Sequence, residues 1–307
     1  TNSRVGEKGK KVSQSVAIGG GNGSSENKPD GAWARGTQSV AIGGNAYAYG
    51  DSSIAIGGDD VDEAVTKEIT YTNPKNDQSK KATIKDAFTD LTGKNILSPR
   101  WTPTQASDAA VAVGMKATAA ELGVSMGTLA TASKVNAVAI GSGATANRDN
   151  SVALGGGSIT DKVGTKQTQT VVNGITYSWA GGADTAEGDI VSVGSAGFER
   201  QIKNVAAGEV SNVSTDAING SQLFAVASQI KPIQYFAVNS SVAGNKDNSG
   251  ATGLDSVAIG PKAKAQAVSS IALGNNATAA GGNSIAIGNT SSATDKQSPI
   301  SIGYGAT

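Results

Sequence analysis

The residue types that usually carry chemistry are scarce in this chain of 307 residues, which has no histidine and no cysteine. The commonest general base and metal ligand is therefore missing, together with thiolate nucleophiles, thiolate metal sites and disulfides. Carboxylates, lysines and aromatic rings remain. Asp59, Asp60, Asp62 and Glu63 form an acidic run whose oxygens suit a calcium ion, but no calcium-loop glycine spacing surrounds them, so a solvated acidic turn is the favoured reading. Lys8, Lys10 and Lys11 suit contact with an anionic glycan, against the plainer and favoured reading of a solvated terminus. Trp33, Trp101 and Trp179 are either exposed anchors for a ligand or staples for the segments that hold them, and stapling is the expectation. Catalysis by paired acids, as in glycosidases, needs carboxylates gathered on one strand face, and no such gathering is visible. No catalytic, cofactor-binding or metal-binding residue is assigned, and no cofactor is expected.

The background to these groups is unusual. Glycine supplies 41 residues and aromatic residues 4%, so any core must be thin and built from Val, Ile and Ala. Twenty-five basic residues balance 25 acidic ones, which gives no pull toward nucleic acid or an anionic membrane. No apolar run approaches the roughly 20 residues that span a bilayer. No signal peptide opens the chain, and "SIGYGAT" ends it inside a repeat, so a segment of a longer protein is expected.

The organising feature is a phrase, Ser-[Val/Ile]-Ala-[Ile/Leu]-Gly. It occurs at 15–19, 39–43, 53–57, 151–155, 256–260, 270–274 and 284–288, with looser copies at 110–114, 123–127, 137–141 and 299–303. Neighbouring copies are mostly 14 residues apart, with single steps of 13 and 15. Each phrase reads as a short strand with β-branched residues at alternate positions, and the filler holds a second weak strand between Gly/Asn turns. One period is then one coil, and stacked coils make a parallel β-solenoid. The expected repeat core is Val16, Ile18, Val40, Ile42, Ile54, Ile56, Val138, Ile140, Val152, Leu154, Val257, Ile259, Ile271, Leu273, Ile285 and Ile287. Both faces of the phrase are uncharged, and a strand apolar on both faces is usually covered on both. A two-stranded coil has only one interior, so an oligomer is expected. The pattern leaves open which face lines the coil and which meets the partner.

The interruptions divide the chain. Repeats span 1–57 with an excursion at about 21–38 around Trp33, and an α+β insertion spans 58–108. In that insertion Ile84, Ala87, Phe88 and Leu91 have helical spacing, closed near Gly93. Repeats resume over 109–157. A connector of antiparallel strands is expected over 158–197, with a hairpin turn at Asn173–Gly174. A polar segment follows at 198–223, then a short helical stretch at 224–235 in which Leu223, Val226 and Ile230 have helical spacing and Pro232 ends the helix. A second repeat block fills 236–307.

These residues resemble a known family. "NSIAIG" and "SVAIG" at 14-residue spacing look like the YadA-like head repeats of trimeric autotransporter adhesins, and "RQIKNVAAGEVSNVSTDAINGSQL" is similar to the family's neck. "AYGDSSIAIGGDD" resembles a head insertion. "NGITYSWAGG…GDIVSVGSAGFERQI" resembles the connector before a neck, with Trp179 where many relatives have Phe. The neck residues that carry the likeness are Arg200, Ile202, Asn204, Val205, Gly208, Asp216, Ala217, Asn219, Gln222 and Leu223; Asp216 and Asn219 are expected to satisfy backbone groups. The resemblance implies a mainly β fold: left-handed parallel β-roll heads of about 14 residues per coil, in a homotrimer. It also implies a neck onto a coiled coil, very short in this chain. It implies a non-enzymatic surface fibre of Gram-negative bacteria, held in the outer membrane by a C-terminal region outside this sequence. The implied partners are the other two chains and host extracellular matrix proteins or cell-surface receptors, with no nucleic acid and no other membrane contact. Two other readings stand behind it: a fibre spacer that binds nothing, and a β-solenoid enzyme acting on polysaccharide. The residues that hold a ligand are not read from the sequence.

Overall fold

A computed structural model describes residues 3–21, 24–25, 28–29, 31–172, 174–229, 240–241, 244–245, 249–295 and 298–307. Asn173, Ile230 and Pro232 lie outside the described residues, as does most of the stretch between the helix and the second repeat block. The chain forms two compact units, Thr1–Asn219 and Gly220–Thr307.

In the first unit every phrase is a strand, and the phrases stack in parallel. They form a first sheet of eight strands, from Val16–Ile18 to Val152–Leu154, closed by Val191–Ser192. The filler forms a second sheet of seven strands, from Arg4–Val5 to Thr145–Ala146. The register repeats residue for residue: Val138 pairs with Val152, Ala139 with Ala153, and Ile140 with Leu154. The second unit repeats the plan with four phrase strands and three filler strands.

The alternation of the phrase resolves into in and out. Ala41, Ala55, Ala112, Ala139 and Ala153 are completely buried and face Ala34, Ala48, Ala106, Ala119, Ala132 and Ala146 of the second sheet. The interior is wide enough for methyl groups and little more. The sixteen Val, Ile and Leu residues expected as the repeat core therefore point away from the coil's interior. Val16, Ile18, Ile140, Leu154, Val257, Ile271 and Leu273 are each more than a third exposed, and the remainder are partly buried. The reason is volume, because a branched side chain does not fit between sheets this close.

In several copies the serine that opens the phrase also has a role, whereas Ser284 Oγ is buried without a partner among the described residues. Ser53 Oγ donates to Gly50 O (2.6 Å), Ser151 Oγ to Arg148 O (2.8 Å), and Ser270 Oγ to Ala267 O (2.7 Å), each pairing a carbonyl at the corner before the strand. Such a bond contributes about 1 kcal/mol, and leaving the carbonyl buried and unpaired would be worse. The corner itself needs backbone that turns left-handed. Gln38, Asn136, Asn150 and Asn283 take positive φ there, and paired amides join some of them, as from Asn136 Nδ2 to Asn150 Oδ1 (2.8 Å).

The two corners of the coil differ. Passing from the second sheet to the first takes six positions from Ala132 to Val138, five from Ala119 to Val124 and seven from Ala293 to Ile300. The irregular 13- and 15-residue steps are absorbed there. Passing from the first sheet to the second, the chain accommodates the long excursions after Ile18 and Ile56.

Two boundaries differ from the sequence reading. The expected antiparallel connector is antiparallel only over Gln169–Val172 with Ile175–Ser178; its start bridges Thr145 through Ile159, and Val191 continues the phrase column above Val152. Ile159 follows Thr145 by one period, so stacking continues where the phrase is no longer recognisable. The short helix, Gly220–Ala227, begins inside the expected neck rather than at 224, just after Asn219, a residue type favoured before a helix's first turn.

The phrase-closing glycine is one of the tight points of the coil. At Gly274 φ is +133° and an added Cβ would lie 2.4 Å from Gly288 O, whereas at Gly282, where φ is not left-handed, it would meet nothing within 4 Å. Gly274→Ala is expected to destabilise the second unit by more than about 2 kcal/mol, and Gly282→Ala to leave it nearly unchanged; paired thermal melts followed by circular dichroism check this.

Candidate functional site

Among the described residues no group of three or more Asp or Glu side chains is gathered to hold a metal. The acidic run has other engagements: Asp59 Oδ2 accepts from Asn45 Nδ2 (2.9 Å), Asp60 Oδ1 from the Asp62 amide (2.6 Å), and Asp62 pairs with Arg100 (3.2 Å). Candidate surfaces are therefore the insertions, the connector, the neck and the outward phrase columns.

The insertion at 58–108 contains a 3-10 turn at Ala64–Thr66, a hairpin of Glu68–Asn73 with Gln78–Thr83, and helix α1, Ile84–Thr92. Thr83 Oγ1 accepts from the Asp86 amide at the start of α1, and Gly93 at φ 73° ends it. Phe88 packs with Val61, Val65 and Ile96, flanked by Met115 and Leu129 of the roll. Lys116, 3% exposed, donates from Nζ to Pro99 O (3.2 Å) and approaches Ile96 O (3.4 Å), tying the returning chain to the roll. Burial holds the Lys116 ammonium below the ordinary lysine range, opposed by Asp59, Asp62 and Asp60. Burial likewise lowers Lys94, whose Nζ donates to Thr145 Oγ1. On the outer side, Asp90 joins Lys80 and the Tyr71 hydroxyl, and these bonds lower its carboxyl.

The tryptophans part company. Trp33 is buried, edge-on to Tyr47 (6.0 Å) and Tyr49 (6.3 Å), and Nε1 donates to Gly6 O (2.9 Å), so it staples the first coils. Trp101 and Trp179 are about half exposed, 57% and 48%, and do not staple their segments as expected.

Beside Trp33, the chain between Arg4 and Ser13 lines an open groove of about 710 Å³. Arg35 grips Glu7 there with two bonds (2.6 and 2.8 Å). A second groove, of about 410 Å³, lies between the corner at Asn147–Asn150 and the connector at Ala186–Asp189. Arg148 spans it, donating to Thr160 O (3.1 Å) and Asp161 O (2.9 Å), with Glu187 at 3.8 Å.

The neck follows the roll without regular secondary structure up to the helix. Arg200 fastens it: Nη2 donates to Gly156 O (2.6 Å), and Nη1 to Val193 O (2.8 Å) and Ser158 Oγ (3.1 Å). Asp216 Oδ2 accepts from the Glu209 amide (2.9 Å) and Asn219 Nδ2 donates to Val205 O (3.2 Å), so these side chains bond backbone. Gly208 sits where a Cβ would press on Asp216 and Ala217, and Asn204 takes φ 59°. Ile202, Val210, Val213, Ile218 and Leu223 are all more than half exposed, and Gln222 is partly buried. The sequence motif marked the neck but gave no hint that Arg200 binds the final coil of the roll.

Stacked coils about 14 residues apart make each of the two units a parallel β-solenoid. The family model described as the YadA head domain repeat matches residues 34–59, 120–144, 132–158, 251–277 and 279–306, and the coiled stalk of trimeric autotransporter adhesin matches 201–232. The chain belongs to the trimeric autotransporter adhesins. Autotransporter adhesin BtaE of Brucella suis biovar 1 (strain 1330) is 53% identical over 62 residues, which are 20% of this chain and 8% of that protein. The chain thus spans under a tenth of that curated relative's length. A C-terminal YadA-like domain from Burkholderia pseudomallei is 30% identical, with 54% of this chain and 67% of that one covered and a TM-score of 0.29. The collagen-binding domain of the Yersinia adhesin YadA is 20% identical, with 70% and 98% covered and a TM-score of 0.36. The family is adhesin-type rather than enzymatic, and membership implies a location at the outer-membrane surface.

The Arg35 guanidinium, through its hydrogen bonds, holds the Glu7 carboxyl below its ordinary 4.5, with help from Lys10. With the folded value depressed, the pair's stabilisation is complete above about 4.5 and is lost as pH falls through the lower folded value. The melting temperature of Glu7→Gln is expected to fall below wild type near neutrality and to converge on it in acid. A gap that persists unchanged down to acid pH would contradict the ion pair.

Proposed function

We propose that this chain assembles as a homotrimer and that the trimer attaches bacteria to host extracellular matrix or cell-surface molecules by many weak contacts. The observation that carries the reading is the pair of in-register columns on the outer face of the first sheet. One runs through Val16, Val40, Ile54, Val111, Val124, Val138 and Val152, the other through Ile18, Ile42, Ile56, Val113, Met126, Ile140 and Leu154. A continuous aliphatic strip of this length, left open to water, marks an interface. Copies of the same chain are the natural cover, because identical columns with one period match along their whole length.

The same logic extends to the second unit through Val257, Ile259, Ile271, Leu273, Ile285 and Ile287, and to the neck through its exposed apolar residues. In this reading 1–57, 109–157 and 236–307 are heads. The segment 198–223 carries the chain onto a short helical stretch at 224–235, and the insertion at 58–108 and connector at 158–197 present outward surface. A C-terminal anchor beyond this sequence holds the fibre in the outer membrane. Three copies raise the effective concentration of each weak site, so attachment strengthens without any one tight pocket. The two grooves described above are open and shallow, which suits such contacts better than turnover of a substrate.

Light scattering of the purified chain is expected to give three times the 30.4 kDa chain mass. Ile54→Lys combined with Ile140→Lys should shift it toward a monomer, because each trimer would then gather buried lysines around one seam. Binding to immobilised matrix proteins and host cells tests the second half: a folded trimer that binds none of them is a spacer, and the adhesive reading of this segment fails.

A further inference from the structure

The corner that leads from the second sheet to the first takes six positions from Ala34 to Val40 and from Ala48 to Ile54, but eleven from Val5 to Val16. The extra length holds Glu7, Lys8, Lys10 and Lys11, the lysines that the sequence alone favours as a solvated terminus. The structure makes this loop a fixed object. The Arg4 and Gly6 amides donate to Ala32 O (2.8 Å) and Ala34 O (2.7 Å), and Trp33 Nε1 holds Gly6 O. Arg35 grips Glu7, and the guanidinium groups of Arg4 (5.7 Å) and Arg35 (5.3 Å) both approach the Trp33 ring.

This bracing sorts the charges. The only carboxylate of the loop is spent on Arg35 and, at 3.4 Å, on Lys10. Lys8 and Lys11 are exposed on the groove and make no ion pair among the described residues. Arg4, Lys8, Lys10 and Lys11 thus line one open groove in a chain whose net charge is zero. The aromatic rings do not line it: Trp33 and Tyr47 are buried beneath. With no exposed ring face, the groove offers nothing on which a neutral sugar or a nucleobase would stack. It selects by charge.

We propose that the braced loop Gly6–Ser13 is a binding site for an anionic polysaccharide, with Lys8 and Lys11 contacting its sulfate or carboxylate groups. A rigid loop loses little freedom on binding, and a polymer with repeating charges can engage several copies of the site at once. The choice of polysaccharide among polyanions rests on the adhesive, surface-exposed reading above.

The test uses the full purified chain over immobilised heparin, desulfated heparin, hyaluronate, neutral dextran and duplex DNA, at low salt and at about 0.15 M. Salt-sensitive binding to heparin or hyaluronate but not to dextran is expected; loss on desulfation identifies sulfate as the group read, and retention identifies carboxylate. Lys8→Glu with Lys11→Glu should weaken binding at least tenfold with an unchanged melting curve. Lys262→Glu with Lys264→Glu, the same change of charge in the second unit, should leave it intact. Equal losses in both variants, no binding to either polyanionic glycan, or stronger binding to DNA would each overturn the proposal. The adhesive reading is scored separately: wild type that binds matrix or cells but no polyanion removes this site alone, and wild type that binds polyanions but neither matrix nor cells removes that reading alone.

Discussion

The interior of each coil admits methyl groups and almost nothing larger, and the rest of the architecture depends on that narrowness. Two sheets brought this close cannot be held apart by leucine or phenylalanine, so alanine and serine fill the space and the coil has hardly any core of its own. The larger apolar side chains are displaced to the outer face, where they form continuous columns. A fold with so little apolar volume inside depends on the contacts between neighbouring coils, and the trimer proposed above would add cover over those columns. The thin interior and the exposed columns are one fact seen from two sides.

The two corners of the coil divide the work. Where the first sheet ends, a glycine sits against the glycine of the next coil, and the chain either turns tightly or leaves the roll altogether, as it does after Ile56. Where the second sheet ends, the turn stretches or shrinks by a residue without disturbing the register on either side. Variation is thus confined to positions from which it does not spread. The lysine loop, the connector and the short slips all occupy this tolerant corner, while the folded insertion and its anchor Lys116 use the other.

The repeat was plain in the sequence because alternation and spacing survive every substitution within the phrase. Which side faces inward was not, since Val/Ile and Ser/Ala faces are both free of charge and only the width of the finished coil separates them. The bracing of the lysine loop was equally hidden: Glu7 and Arg35 lie 28 residues apart and meet only once two coils have stacked. Trp33 looked like Trp101 and Trp179 in the sequence, because each sits in a segment outside the phrase. Among the described residues, only Trp33 of the three has a column of rings to join, at Tyr47 and Tyr49. The neck was legible as a motif, whereas the three bonds by which Arg200 ties it to the roll were not.

Coils joined by backbone hydrogen bonds along the stacking axis also have a mechanical character. Tension along that axis pulls each coil–coil seam apart in turn, with only a few short strand bonds resisting at any one seam. The covalent chain winds through every seam, so one that opens does not sever the fibre. It releases about 14 residues, which extend to roughly 46–50 Å from a rise of about 4.8 Å. The stack is therefore built as a series of reserve loops, each able to lengthen about tenfold and so to limit the peak force of a sudden pull.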